Sequence, residues 1–282
     1  MHERIPAITQ KQVSTFLKPR PRDSHKGMFG TAVVIGGAPG MVGAALLAGR
    51  AALKLGAGIV HVGLLADNAP SVDLLQPELM LHPAADALRL AQPDVLALGC
   101  GLGQSLAAQK LLYEALKLDC PLVLDADALN LLAGHADLQD DLRRRHAPTL
   151  LTPHPAEAAR LLGCNTAEVQ AARCESAQRL AEKLQCGVVL KGADSVCVTR
   201  AGNTFVNSTG NPGMSAPGMG DVLAGMLAAF IAQGIAVDDA LQLAVHLHGA
   251  AGDTLAEQRA AVGMTATELT ERARWLLNQW TA

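Results

Sequence analysis

The residues best placed to do chemistry lie where a loop meets an apolar helix, in the motif Gly-Met-Gly-Asp at residues 218–221. The preceding residues 207–217 are rich in Gly, Pro, Asn and Ser, which is typical of an irregular loop. After the motif, apolar residues recur at helical spacing as far as Ile231, so one face of this helix must be buried. Glycines let a ligand approach the backbone, and the first amides of a helix have no partner within it. The sequence therefore predicts a site for an anion such as phosphate at the start of this helix.

Asp221 ends the motif and places a carboxylate beside the predicted anion site. A carboxylate repels an anion, so the arrangement makes chemical sense when the acid removes a proton from the reacting group. We interpret Asp221 as a general base that deprotonates a hydroxyl while the loop amides hold a phosphoryl group. The alternative is structural, because aspartate is among the preferred N-cap residues of helices.

Two further candidates follow predicted buried strands. Asp127 comes after the strand at residues 121–124, and open α/β sheets place their chemistry at the carboxyl ends of their strands. His154 follows the strand at residues 148–151 and lies between two prolines, which fix the backbone and hold the side chain rigidly. Each has a structural alternative: Asp127 as the N-cap of the next helix, and His154 as a turn residue that is hydrogen-bonded to the backbone.

The first predicted strand, at residues 31–35, runs into a glycine-rich loop at 36–43 and then into a helix at 44–55. This order is a general arrangement for binding phosphate or a cofactor, although the loop is neither a GxGxxG nor a Walker A motif. Units of strand, loop and helix recur along the whole chain. They predict an α/β fold in which a mostly parallel sheet is covered by helices on both faces, and we expect one domain over residues 1–282.

The remaining predicted elements complete this pattern. The other predicted strands are at 58–65, 94–98 and 188–190, a hairpin is predicted from 196–199 and 203–206, and the other helices are at 105–118, 156–162, 166–184, 237–255 and 265–280.

Composition excludes several classes of function. The net charge of −3 offers no electrostatic basis for binding nucleic acid. None of the six cysteines forms a CxxC pair, which favours reduced thiols over disulfides or zinc. His246 and His248 are two residues apart on a predicted helix and face different ways, so we expect no metal pair there. With no signal-peptide core and no long uninterrupted apolar stretch, we expect no membrane span and a cytoplasmic location.

Taken in order, the motifs resemble those of the ADP- or ATP-dependent NAD(P)H-hydrate dehydratases, which have the ribokinase-like three-layer fold. The resemblance covers about residues 27–252, and its most specific features are TPHP and GNPGM occurring together. The motifs that carry it are KG, VVIGG with GAALLA, GAGIVHV, GCGLG, LDADALNLL, TPHPAEAARLLG, VVLKGADSV and GNPGMSAPGMGDVLAGMLAAFIAQG. Larger bifunctional relatives carry an epimerase domain in front, and we expect none in this chain.

The resemblance implies a repair reaction on hydrated NADH or NADPH. The hydroxyl on nicotinamide carbon 6 would be phosphorylated from the nucleotide, expelled as phosphate with help from the ring nitrogen, and a proton lost from carbon 5. Asp221 would activate the hydroxyl. The resemblance favours ADP over ATP as the donor, in which case the other products are AMP and phosphate. It leaves open whether the enzyme prefers hydrated NADH or hydrated NADPH.

The resemblance also implies roles for individual residues in binding the nucleotide, the substrate and an anion. The nucleotide would bind Lys191, Gly192, Ala193, Asp194, Ser195 and Gly220. The hydrated substrate would contact Ala44, Gly103, His154 and Asp221, with Asp127 and Asn130 assigned more loosely. The anion hole would be formed by Gly218, Met219 and Gly220. Mg²⁺ would bridge the phosphates mostly through water and phosphate oxygens, so no protein metal ligand is assigned. The family also implies a homo-oligomer, a tetramer, for which the C-terminal helices could supply the interface.

Two positions depart from the family pattern. Pro217 replaces a glycine before the anion motif, and proline stiffens the loop and lacks an amide donor. Cys100 replaces a proline in the second glycine-rich loop, which we expect to be tolerated. Two alternatives remain for the function: a small-molecule alcohol kinase of the same fold (hydroxyethylthiazole or hydroxymethylpyrimidine type), and a non-catalytic nucleotide-binding or regulatory protein.

Overall fold

The computed structural model describes residues 5–89 and 93–281. Within these ranges the chain forms a sheet of nine strands in the order β3-β2-β1-β4-β5-β6-β7-β8-β9. The strands are β1 Thr31–Gly36, β2 Ile59–Leu64, β3 Met80–Pro83, β4 Val95–Leu98, β5 Leu122–Leu124, β6 Thr149–Leu151, β7 Gly187–Leu190, β8 Ser195–Val198 and β9 Thr204–Asn207. The pairs from β3 to β7 are parallel, whereas β8 and β9 are added antiparallel at one side.

Helices cover both faces of the sheet. They are α1 Gln10–Ser14, α2 Val42–Lys54, α3 Ala84–Ala87, α4 Leu106–Ala115, α5 Asp127–Gly134, α6 Ala136–Arg143, α7 Pro155–Leu162, α8 Thr166–Ala171, α9 Arg173–Leu184, α10 Met219–Ala232, α11 Val237–Gln258 and α12 Ala266–Thr281, with short 3₁₀ turns at Lys26–Phe29 and Pro212–Met214. Along β1, Val34 belongs to the core shared with α2, α10 and α11, whereas its neighbours Val33 and Ile35 belong to the core shared with α3 to α9. This alternation is the period of two of a strand that is buried on both faces. The predicted three-layer α/β fold is confirmed.

Most predicted elements are present, and the differences include the unpredicted strand β3, the unpredicted helices α3 and α6, and one divided helix. The hairpin at 196–199 and 203–206 is confirmed as β8 and β9. Strand β3 was not predicted, because Met80 and Pro83 are exposed and its four residues lack a clear apolar pattern. The predicted helix at 166–184 is wrong as a single element, because the non-helical backbone at Ala172, with φ −137° and ψ 57°, separates α8 from α9.

Helices α2 and α10 lie side by side and run in the same direction. A Cβ atom at Gly225 would lie 2.1 Å from the carbonyl oxygen of Ala48 and 2.8 Å from the Cβ of Ala51, so the two backbones are in direct contact. At the other end, the Gln233 side chain donates to the Leu55 carbonyl that follows α2, over 3.0 Å. This packing places the first turns of both helices at the carboxyl edge of the sheet.

Among the described residues, none of the helices has the length and the apolar character needed to cross a bilayer.

Replacing Gly225 with alanine should destabilise the protein. The added methyl group would overlap the backbone of α2, and overpacking of this kind lowers the free energy of unfolding by about 2 kcal/mol. Gly134→Ala is the matched control: Gly134 ends α5 with no atom within 4 Å of its Cβ position, and alanine there should stabilise by about 0.5 kcal/mol. Urea unfolding of both variants checks this, and equal stability of Gly225→Ala and the wild type would contradict the close contact.

Candidate active site

The candidate site lies at the carboxyl edge of the sheet, where the loops after β1, β4, β5, β6 and β7 meet. Backbone hydrogen bonds join neighbouring loops. Ala38 N donates to the Gly101 carbonyl over 2.7 Å, and Lys191 N donates to the Pro153 carbonyl over 2.8 Å. The parallel strands therefore bring residues that are far apart in sequence into one row, as open α/β sheets do.

Asp221 lies in the first turn of α10 and is not its N-cap. The helix begins at Met219, its N-cap is Gly218 with a left-handed φ of 87°, and no side chain caps it. The N-cap interpretation of Asp221 is therefore wrong. Burial raises the pKa of the Asp221 carboxyl to about 6, while a hydrogen bond from the Cys100 thiol opposes the rise. Its carboxylate thus combines a raised basicity with a position beside the first amides of a helix.

An ion pair that sequence analysis missed lies against the anion motif. Lys191 Nζ is 2.7 Å from Asp125 Oδ1, and the Asp125 side chain is only 3 % exposed. A Cβ atom at Gly220 would lie 3.3 Å from Lys191 Nζ and 3.4 Å from Asp125 Oδ2, so both groups touch the first turn of α10. Burial alone would lower the pKa of Lys191, but the charges of Asp125 and Glu157 and the hydrogen bond that Lys191 donates to Asp125 raise it. The ammonium group therefore stays charged beside the predicted anion site.

Asp127 holds the glycine loop that follows β4. Its Oδ2 accepts from the Gly103 amide over 2.8 Å, and its Oδ1 is 3.5 Å from the Asn130 side-chain amide. The N-cap of α5 is Ala126, at a φ of 50°, so the N-cap interpretation of Asp127 is wrong. Asn130 in turn accepts from Arg160 over 2.8 Å. The structure therefore brings Gly103, Asp127 and Asn130 together as one group.

His154 is the N-cap of α7, and its ring is bonded to the backbone. Its Nδ1 accepts from the amides of Ala156 and Glu157, over 3.1 and 3.2 Å. The Glu157 carboxylate in turn accepts a hydrogen bond from the His154 amide. The backbone-bonded alternative is thus confirmed for Nδ1. Burial and the charge of Lys191 lower the pKa of His154, so the ring is neutral with its proton on Nε2, 3.2 Å from Glu157 Oε1. With the His154 side chain 47 % exposed, the imidazole presents a fixed face to the site.

Glu157 is the second charged residue that sequence analysis missed. Its side chain is 6 % exposed, and burial raises its pKa to about 7, although Lys191 opposes the rise. The signal for it in the sequence was the spacing of His154 and Glu157, which is that of a capping box with histidine in the place of serine.

The loop Lys191–Ser195 after β7 has an exposed, constrained backbone. Gly192 has a φ of 134° and Asp194 a φ of 51°, both in the region that favours glycine. Arg173, at the start of α9, donates to the carbonyls of Leu190 and Lys191 over 3.1 and 3.3 Å. This guanidinium, which sequence analysis also missed, holds the loop in place, and the exposed residues 192–194 offer their backbone to a ligand.

Comparison with known proteins decides the family. The family model described as NAD(P)H-hydrate dehydratase matches residues 32–274. The chain belongs to this family. It is 42 % identical over 268 residues to an ADP-dependent (S)-NAD(P)H-hydrate dehydratase of Neisseria meningitidis, covering 94 % of this chain and 90 % of that protein. It is also 42 % identical to a bifunctional NAD(P)H-hydrate repair enzyme of Coxiella burnetii, covering 95 % of this chain but only 54 % of that enzyme, so the chain spans about half the length of the bifunctional relatives it matches.

Solved structures agree with this family and its fold. The crystal structure of the ADP/ATP-dependent NAD(P)H-hydrate dehydratase from Bacillus subtilis, co-crystallised with ATP and Mg²⁺, superimposes with a TM-score of 0.87 at 32 % identity, covering 98 % of this chain and 99 % of that one. A ribokinase-like superfamily protein of Enterococcus faecalis gives a TM-score of 0.84 at 29 % identity. A hydroxyethylthiazole kinase of Pyrococcus horikoshii shares only 16 % identity at a TM-score of 0.62, which shows a common fold and nothing about activity.

The two departures from the dehydratase pattern are accommodated in the fold. Pro217 precedes the N-cap of α10, so the amides of Met219, Gly220 and Asp221 are all retained in the first turn. Cys100 is buried, and its carbonyl accepts from the Gly37 amide over 3.1 Å. The loop after Cys100 packs closely on α2, since a Cβ at Gly101 would lie 3.0 Å from the Cβ of Ala44.

The two histidines of α11 make ordinary packing contacts. His246 Nδ1 is 3.0 Å from Asn207 Oδ1, and His248 Nε2 donates to the Met219 carbonyl over 2.9 Å. Burial lowers the pKa of His248 to about 4, so this ring is neutral and supports the first turn of α10. In residues 5–89 and 93–281, no group of three or more His, Cys, Asp or Glu side chains is arranged to hold a metal ion.

Removing one partner of the ion pair should be more damaging than removing both. Asp125→Asn leaves the Lys191 ammonium buried without its counter-charge, and we expect a loss of about 3 kcal/mol in the free energy of unfolding. The double variant Asp125→Asn with Lys191→Met removes the unpaired charge and should recover part of that loss. Urea unfolding of the two single variants and the double variant measures the coupling, and strictly additive effects would contradict a direct pair.

Proposed function

We propose that this chain catalyses the ADP-dependent dehydration of (6S)-NAD(P)H hydrate to NAD(P)H, with release of AMP and phosphate. The observation that carries the proposal is the half-buried Asp221 carboxylate in the first turn of α10, next to the Lys191 ammonium, in a chain of the dehydratase family. The carboxylate is suited to deprotonating an alcohol, and the ammonium group is suited to stabilising a phosphoryl group.

The proposed reaction has two stages. Asp221 takes the proton of the carbon 6 hydroxyl. At the same time the hydroxyl oxygen attacks the terminal phosphorus of ADP, and the bond from that phosphorus to AMP breaks. The amides of Met219 and Gly220 and the ammonium of Lys191 stabilise the charge on the transferring group. The lone pair of the ring nitrogen then expels phosphate from carbon 6, and loss of the carbon 5 proton restores the dihydropyridine.

The electrostatics of Asp221 support this role. With its pKa raised to about 6 by burial, the carboxyl is mostly ionised at neutral pH and is a stronger base than an exposed aspartate. The charged groups that face it are Asp125, Lys191 and Asp127, with the Cys100 thiol as its hydrogen-bond donor. The positive charge of Lys191 keeps the Asp221 carboxylate from being protonated beside Asp125.

The carboxylates of the site suit Mg²⁺ held by the nucleotide. Glu157 is buried and Asp221 is half-buried, and their pKa values are raised to about 7 and about 6, so a cation nearby would stabilise their charged forms. Mg²⁺ prefers oxygen ligands and keeps several waters, and these residues would contact it through water. Bound in this way, the ion would supply charge neutralisation on the phosphoryl oxygens.

The binding roles follow the order of the loops along the sheet edge. The exposed backbone of residues 192–194, with Lys191 and Ser195, would hold the donor nucleotide against Gly220. The hydrated ring would lie near Ala44, Gly103 and the exposed face of His154. Asp127 and Asn130, which are bonded to each other and to the Gly103 amide, would position that loop.

We further propose that the chain acts as one domain, works in the cytoplasm and assembles as a homotetramer. The sequence pattern supports the single domain and the cytoplasmic location, and the family supports the homotetramer. Helix α12, which leaves Trp275 half exposed, is the surface we would assign to an interface between copies.

Absorbance at 340 nm tests the activity and names the donor. Purified protein with hydrated NADH, Mg²⁺ and ADP should restore the dihydronicotinamide absorbance, and ATP should support a lower rate. A protein that is folded and binds ADP but restores no absorbance with either nucleotide would overturn the dehydratase proposal. A screen of alcohol substrates would then follow.

Asp221→Asn should abolish most of the activity while ADP binding is kept. Loss of a general base lowers kcat by about 10²- to 10⁴-fold, whereas the loop at 191–195 is untouched. In the wild type, kcat/KM should fall as the pH falls through about 6, because protonated Asp221 cannot accept the hydroxyl proton. Asp137→Asn, at an exposed position of α6, is the matched control and should behave as wild type. Full activity of Asp221→Asn would refute the base assignment.

A further inference from the structure

A cavity of about 560 Å³ opens at the carboxyl end of β2 and β3, outside the residues of the candidate active site. Its walls are apolar, formed in part by Leu64, Leu81 and Leu111, and its rim carries the basic side chains of Arg89 and Lys110. A pocket of this size, mostly apolar with a few charged groups, is typical of small-molecule sites.

The cavity is joined to the candidate active site through the backbone. The amide of Ala66, which lines the cavity, donates to the Gly37 carbonyl over 3.0 Å. The amide of the next residue, Ala38, donates to the Gly101 carbonyl. On the other side, Ala107 of α4 lines the cavity four residues after Gly103. The two loops proposed to contact the hydrated ring are therefore attached to segments that line this cavity, by a backbone hydrogen bond at Gly37 and along the chain at Gly103.

The order of strands separates two ligands along the sheet edge. The loop proposed for the donor nucleotide follows β7, whereas the cavity follows β2 and β3, and Asp125, Cys100 and Asp221 lie between them. From β4 to β3 there are three strand spacings, or about 14 Å. A dinucleotide with its hydrated ring beside Gly103 and Asp221 needs a place for its second nucleotide, and the donor already occupies the β7 side.

Charge at the rim suits phosphate groups. Lys110 and Arg89 lie 3.9 Å from Glu114 and Asp86 in exposed pairs, and such pairs contribute little free energy. Both cations can therefore turn to a stronger anionic partner without a large penalty, while the apolar walls are suited to a purine ring. Asp67 and Glu114, also in the lining, are acceptors for the ribose or the amino group of the base.

We propose that this cavity binds the adenosine-phosphate half of the hydrated dinucleotide, with adenine against the apolar wall and Lys110 and Arg89 beside its phosphates. The inference rests on the proposed function for the identity of the substrate. It assigns the substrate and the donor nucleotide to opposite sides of Asp221.

Binding of NADPH, followed by its own fluorescence with ADP saturating the donor loop, tests the cavity directly. Ala107→Trp fills it from an exposed position, and Lys110→Glu reverses a charge at its rim. Each should raise the Kd for NADPH about tenfold. The matched controls are Ala136→Trp on α6 and Lys117→Glu after α4, both exposed and outside the cavity lining, and both should leave the Kd within twofold of wild type.

A truncated substrate separates this site from the chemistry. The KM for hydrated NADPH should rise in both cavity variants, whereas the KM for hydrated reduced nicotinamide mononucleotide, which lacks the adenosine half, should not. Cavity variants that are folded by thermal melting and bind NADPH as tightly as wild type would overturn the inference. A wild type that binds NADPH in the cavity but restores no absorbance at 340 nm would instead overturn only the proposed function.

Discussion

The close contact between α2 and α10 is the constraint on which the site depends. Gly225 and Ala48 let the two helix backbones touch, so both helices lie flat on one face of the sheet and begin at its carboxyl edge. One helix start carries the glycine loop and Ala44, and the other carries the anion motif and Asp221. Because both helices point their first amides at the same place, their dipoles add to a positive potential there, which favours phosphate. A larger residue at position 225 would move the loops at both helix starts at once.

Beneath that positive potential lies an excess of buried carboxylates. Asp125 is neutralised by Lys191 over 2.7 Å, whereas Asp221 and Glu157 keep raised pKa values because burial disfavours their charged forms. The site therefore holds protons close to neutrality, which is useful to an enzyme that must accept one from a hydroxyl. The same excess of negative charge would be repulsive to a polyphosphate without Lys191, the helix amides and a divalent cation. Under the proposed function, acceptance of a proton and stabilisation of a phosphoryl group would be balanced by residues from separate parts of the chain: Asp125 after β5, Glu157 on α7, Lys191 after β7 and Asp221 on α10.

Local patterns were enough to predict the fold and the row of loops, because strand, glycine loop and helix each leave a signal within ten residues. Asp127 and His154 were found in this way after buried strands, and Asp221 where a glycine loop meets an apolar helix. The Lys191–Asp125 pair was not found, because its partners are 66 residues apart and only the sheet order brings them together. The same holds for Arg173, whose carbonyl partners lie in the loop after β7. The alternatives for Asp221 and Asp127 could be resolved only by the helix starts at Met219 and Asp127, which place the caps on Gly218 and Ala126.

The thiol at Cys100 has a consequence for handling this protein in oxidising conditions. Burial and the negative charges of Asp221 and Asp125 raise its pKa well above that of a free cysteine. Alkylating and oxidising reagents attack the thiolate, so this sulfur is inert although it lies beside the proposed base. Cys120, Cys186 and Cys197 are buried with raised pKa values as well, whereas Cys164 and Cys174 are partly accessible. Fluorescent labels and surface attachment through maleimides would therefore reach these two outer positions first and leave the sulfur next to Asp221 unmodified.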